Sequence, residues 1–143
     1  MSNVQSAFSE DEINRFNAEY VGHADLIFQT VFGVCLSQSK SVDFTYATFT
    51  QLTSNLSKTL AHPNPKLNCL GILSRIVLAD NLEIAPANRD RNKLLASLEK
   101  NARLVLILVD FAGLLVDEAA SVMDIDAVKV RKLLASAREK LTN

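Results

Sequence analysis

Tryptophan is absent from this 143-residue chain, and glycine (4), proline (3), cysteine (2) and histidine (2) are all scarce. So few turn formers exclude an all-β sandwich or barrel, which needs a turn signal about every 8–12 residues. Cys35 and Cys69 lack metal-ligand spacing and suit two core thiols in a reducing compartment. His23 and His62 lie far apart with no acidic motif beside them, so no metal site is expected. No G-x-G-x-x-G, G-K-[ST] or nucleophile elbow occurs, which leaves no catalytic residue, no cofactor and no small-molecule substrate in view. A formal charge of −1 gives no bulk attraction to nucleic acid or acidic membranes. The longest apolar tract, Leu104 to Val116, is interrupted by Asp110 and falls short of the ~20 residues that cross a bilayer. Met1 to Glu12 carries acids and no basic start before an apolar stretch, unlike a signal peptide, so the expected compartment is the cytoplasm.

What is present is helical. Hydrophobic residues make up 48% and charged residues 22%, ample for a packed core. Ser9-x-x-Glu12 is a capping box, and Ile13, Phe16, Tyr20, Val21, Ala24, Ile27, Phe28, Val31, Phe32, Cys35 and Leu36 continue at helical spacing. The pattern predicts one long helix, with Gly22 and Gly33 marking a bend or a close approach. Tyr46, Phe49, Leu52, Leu56 and Leu60 predict a second helix over 43–60, although its threonines compete as a strand signal. Pro63 and Pro65 break the chain. A third helix is expected over 67–82, and Glu83 to Arg91 reads as a linker. The expected fold is therefore all-α in two small lobes, residues 1–85 and 86–143. In the second lobe a helix from about Asn92 through Val109 precedes Gly113, a candidate C-cap. Helices over 116–123 and 126–141 then flank Asp124-Ile125-Asp126, with Asp126 a candidate N-cap. Two helices across so short a turn, the second amphipathic and basic, form a helix-turn-helix signature.

Charge is uneven. Residues 1–88 hold five basic and eight acidic side chains, whereas residues 89–143 hold ten and eight. From Ala127 onward Lys129, Arg131, Lys132, Arg138 and Lys140 face only Glu139.

Leu98 to Leu141 resembles region 4 of the extracytoplasmic-function sigma factors of the sigma-70 family, through Arg103, Asp110, Gly113-Leu114, Glu118-Ala119-Ala120, Val130-Arg131 and Ala137-Arg138. Cys69 to Glu83 is similar to that family's region 2 helix, keeping Leu70, Leu73, Arg75, Asp80 and Leu82. It carries Cys69 where the family has Trp, and Glu83 where it has a base. Because stacking and phosphate neutralisation need those groups, this lobe is not expected to hold a melted promoter strand by itself. On the helical wheel Val130, Leu134, Ala137 and Leu141 should pack inward, with Val105, Leu108 and Ala120 completing the core. Lys129, Lys132, Leu133, Ser136 and Lys140 should point outward. Leu133 and Ser136 stand where the family commonly has Arg, and Asp124 and Asp126 replace the turn Gly and a usual Pro.

Two functions are implied. In one, a sigma-like regulator binds RNA polymerase core and promoter DNA, the latter through Lys129, Arg131, Lys132, Ser136 and Lys140. In the other, a degenerate sigma mimic binds an anti-sigma factor or another regulator, with Leu133 in an apolar seam and little DNA binding. An ordinary solvated helix face would also account for the lysines, and a single stray exposed leucine for Leu133.

Overall fold

The computed structural model describes residues 8–142, so the first seven residues of the acidic N-terminal stretch lie outside it. Every regular element among the described residues is helical. Helix α1 (Glu10–Glu19) starts at the expected box: the Glu12 amide donates to Ser9 Oγ and the Ser9 amide to Glu12 Oε1, both at 3.0 Å. The anticipated long helix is broken, however. A 3-10 turn (Val21–His23) separates α1 from α2 (Ala24–Cys35). The break lets Tyr20 turn wholly inward, where its hydroxyl donates to Thr59 O (2.8 Å) and accepts from Asn68 Nδ2 (3.0 Å). Those two partners lie 39 and 48 positions along the chain.

Helices α3 (Gln38–Ser54) and α4 (Leu56–Ala61) replace the expected single helix. Ser37 caps α3, which begins five residues before the expected start, and Asn55 caps α4 through the Lys58 amide. The competing threonines are absorbed into α3. Thr45, Thr48, Thr50 and Thr53 each donate a hydroxyl hydrogen to the carbonyl four residues back, at 2.7–3.0 Å. The buried face is Ser41, Phe44, Thr48 and Leu52, so Tyr46, expected in the stripe, stands 75% exposed.

Asn64 caps α5 (Pro65–Ala79), with Pro65 in the first turn where its missing N–H costs nothing. Helix α6 (Pro86–Arg91) occupies most of the expected linker: Pro86 again starts a turn of helix. The helix expected from Asn92 is split into α7 (Lys93–Ala96) and α8 (Lys100–Leu106), the latter running into a π-turn (Ile107–Phe111). Gly113, at φ +78°, ends it with the Leu114 amide donating back to Leu108 O at 3.0 Å, as expected of a C-cap. Helices α9 (Val116–Met123) and α10 (Ala127–Thr142) complete the chain.

The two segments share one core. Helix α5 packs against α3 on one side and α9 on the other, and α2 packs against α3 and α8. Ile27, Val31, Leu70, Leu73, Leu104, Val105, Leu108, Val130 and Ala137 belong to a single buried apolar cluster. Polar ties cross the same boundary: Lys66 Nζ donates to Ala112 O (2.7 Å), Lys100 Nζ to Asp80 O (2.7 Å), and Arg103 Nε to Val34 O (2.8 Å).

Gly33 is the close approach that the sequence suggested. A Cβ there would lie 2.6 Å from Ile107 Cδ1, whereas one at Gly22 meets nothing within 4 Å. Gly33→Ala should therefore cost about 1–3 kcal/mol by overpacking. Gly22→Ala should instead gain about 0.4–1 kcal/mol by restricting the unfolded chain. Urea titration of the two variants reads the opposite signs, and equal shifts would contradict this packing.

Candidate functional site

The helix-turn-helix is α9, the turn 124–126 and α10. Asp124 takes the left-handed conformation (φ 57°), a state Asp tolerates better than most side chains. The Ile125 amide closes the end of α9 on Ala120 O at 3.0 Å. Val130, Leu134 and Ala137 are buried as expected, and Leu141 is half-buried. They seat α10 on α8 and α9. Val105, Leu108 and Ala120 are buried too, as expected.

The outward residues fall into three groups. Lys129 and Lys132 are exposed and form no ion pair among the described residues. Arg131 is exposed too, but at ~100° per residue it lies about 160° around α10 from Lys129, on the flank of Arg138. Leu133, Ser136 and Lys140 line a cavity between α10, α8 and the segment before α6. Leu133 is half-buried there rather than fully outward, and Lys140 Nζ donates to Ser97 O at 3.4 Å. Asp124, Asp126 and Val128 are exposed around the N-terminal end of α10, the end that a recognition helix presents to base edges. Two carboxylates there oppose phosphate.

The residues that carried the resemblance have structural work. Arg138 forks onto Asp110, donating Nε to Oδ2 at 3.1 Å and Nη2 to Oδ1. That donated hydrogen bond, more than the bare charge, holds the Asp110 carboxyl below its ordinary range. Arg103 is only 5% exposed and donates Nε to Val34 O and Nη1 to Leu98 O. Val34 is in the last turn of α2, where carbonyls lack helical partners. Burial, with Arg89 nearby, pushes the Arg103 guanidinium below its ordinary value. Arg89 and Lys100 were not singled out in the sequence, because only the fold brings them beside Arg103 and Lys140. Their local spacing carries no signal.

Among the described residues no cluster of three potential metal ligands occurs, and no helix is long and apolar enough to cross a membrane.

Residues 92–141 match the family model of sigma-70, region 4. Among solved structures the chain is similar to the co-crystal structure of the anti-anti-sigma factor PhyR with the anti-sigma factor NepR from Bartonella quintana (TM-score 0.67, 19% identity, 90% of this chain and 48% of that one). It is similar to PhyR alone from the same organism (TM-score 0.65, 20% identity, 90% and 47%). It is also similar to the NMR structure of the PhyRSL–NepR complex from Sphingomonas sp. Fr1 (TM-score 0.70, 15% identity, 89% and 87%). The chain thus spans about half the length of the Bartonella quintana proteins it resembles. No curated protein matches the sequence. The likeness is one of fold and extends across both segments.

Proposed function

We propose that this chain is a sigma-like protein-binding module whose partner is an anti-sigma-type protein, working in the cytoplasm without enzymatic activity and with little affinity for DNA. The observation that carries the reading is the union of residues 1–85 and 86–143. A factor that places two lobes on separate promoter elements needs them free to part, whereas here a shared core and four side chain–carbonyl hydrogen bonds, from Lys66, Lys100 and Arg103, hold them together. The acids at the leading end of α10 support it further. So does the fold likeness to PhyR, which two of the similar structures hold in complex with NepR. In this reading Leu133 contacts the partner.

Exposed Lys129, Arg131 and Lys132 favour the second reading, a DNA- and polymerase-binding regulator that would also use Ser136 and Lys140. Calorimetry with a purified NepR-type protein, beside anisotropy on promoter-length duplex across a salt series, separates the two. We expect a 1:1 protein complex, at least tenfold weaker in Leu133→Arg because a charge enters an apolar contact. DNA binding should stay in the non-specific range of ~10⁻⁴–10⁻⁶ M. Submicromolar DNA affinity would overturn the reading, especially if its salt slope fell by about two units in the Lys129→Ala, Lys132→Ala double variant. Tighter DNA binding by Leu133→Arg would also do so.

A further inference from the structure

The cavity between α6, α8 and α10, edged by Leu82 and Ile84 of the first segment, has a volume of about 530 Å³, within the ~300–1,000 Å³ of small-molecule sites. Four cations line it, from three separate elements: Arg89 on α6, Lys100 and Arg103 on α8, and Lys140 near the end of α10. Glu99 is the one carboxylate in that lining, and it forms no ion pair among the described residues. Every one of the four cations donates to backbone carbonyls instead. Arg89 Nη1 reaches Ala96 O at 3.2 Å, Lys100 Nζ reaches Leu78 O at 3.1 Å and Asp80 O at 2.7 Å, and Lys140 reaches Ser97 O.

Arg103 is the decisive member. A guanidinium has five N–H donors, and among the described residues two carbonyls take two of them. The residue is only 5% exposed, yet it forms no ion pair among the described residues, and a buried charge without a counter-charge is expensive. Carbonyl oxygens orient the group and leave its net charge standing. Arg89 adds a like charge to the same cavity. Such an arrangement is unfavourable when empty of anion and is relieved by one.

The geometry points to a binding site for a small multivalent oxyanion of the phosphate class, held between α6, α8 and α10 with Arg103 at its floor. With Glu99 counted, the lining carries a net charge of +3, most of which a single carboxylate from a protein partner would leave unbalanced, whereas a diphosphate group presents several charges and acceptors within a few ångströms. Planar guanidinium groups suit bidentate contact with phosphate oxygens, and lysines add point charges. The group would be a ligand that fastens α6, α8 and α10 to one another within the second segment, since its contacts come from all three elements. This inference does not rest on the partner reading above, because the ligand binds the free chain.

Titration calorimetry of the full chain at constant ionic strength, with inorganic pyrophosphate and in a parallel arm adenosine diphosphate, tests it. One saturable site is expected, with the thermal midpoint rising and levelling off as the probe is added. The stronger of the two probes tells inorganic anion from nucleotide. Exposed Arg89→Glu and Lys140→Glu should each weaken binding at least tenfold while circular dichroism shows the helices intact. Lys129→Glu with Lys132→Glu, on α10 but outside the cavity, should leave it unchanged. Heat without saturation, indifference to Arg89→Glu, or an equal loss in the Lys129, Lys132 control would each overturn the assignment.

Discussion

Leu134→Ala should lower the free energy of unfolding by roughly 2–5 kcal/mol, a large part of the stability of a domain this size. Leu134 is 6% exposed and lies between Val130 and Ala137, both fully buried, on the face of α10 that seats on α8. Truncation removes the transfer energy of its branched side chain. It also leaves a void in the apolar cluster that α10 shares with α8, α9 and the N-terminal segment. Loss is therefore expected to be global. Leu133→Ala, one residue away on a half-buried position facing the cavity, should cost less than about 1.5 kcal/mol, since little apolar surface leaves the core. Urea denaturation of the two variants reads the orientation of α10. A loss below ~0.5 kcal/mol at Leu134 would mean the helix is rotated from the one described.

Alkaline pH should destabilise the protein through Cys69. This thiol is completely buried in α5, and burial pushes its pKa up from 9.0 to about 12. The folded state then keeps a proton that the unfolded chain gives up. Stability from this group is full below pH 9, and falls as pH rises through about 12. The slope is about 1.4 kcal/mol per pH unit for one proton, or roughly 4 kcal/mol over the window. Tyr20 adds to it above its ordinary pKa of 10.0, because burial raises that phenol too, against the opposing hydrogen bond from Asn68. Urea unfolding at pH 8 to 11 checks the sign, and Cys69→Ala should flatten the curve by the share of one proton. An unchanged curve in that variant would remove Cys69 as the cause. The same burial keeps the thiol unreactive, in keeping with a core role.

Helix identity was written locally. The Ser9 box, Asn64-Pro65, Gly113 and the stripe of α10 act within one or two turns, so their consequences could be read before any contact was known. Where a distant partner decided, the local pattern misled. Ile13 to Leu36 reads as one helix, yet Tyr20 bends away because Thr59 and Asn68 supply hydrogen bonds that its hydroxyl needs once buried. Tyr46 keeps helical spacing with Phe49 and Leu52 but faces solvent, because Phe44 and Thr48 set the side of α3 that meets α2 and α5. The proline and polar residues of 83–91 fit a linker, yet Pro86 opens α6.

For the candidate sites the division is similar. Lys129, Lys132 and Leu133 were identifiable because a basic, amphipathic helix declares itself through periodicity. The roles of Arg103, Asp110 and Arg138 were not, although each was recognisable as a motif residue. A motif specifies residue type and spacing, while burial and partners depend on chains far apart in sequence. Arg138 and Asp110 stand 28 residues apart, and Arg103 and Val34 stand 69 apart. Capping, turn chemistry and 3.6-residue periodicity are short-range, so an all-helical chain with a sigma-like helix-turn-helix in its C-terminal part is legible from residue order alone. That both segments share one core and that four cations converge on one cavity follows from contacts between residues far apart in the chain. Burial and long-range charge proximity are properties of packing.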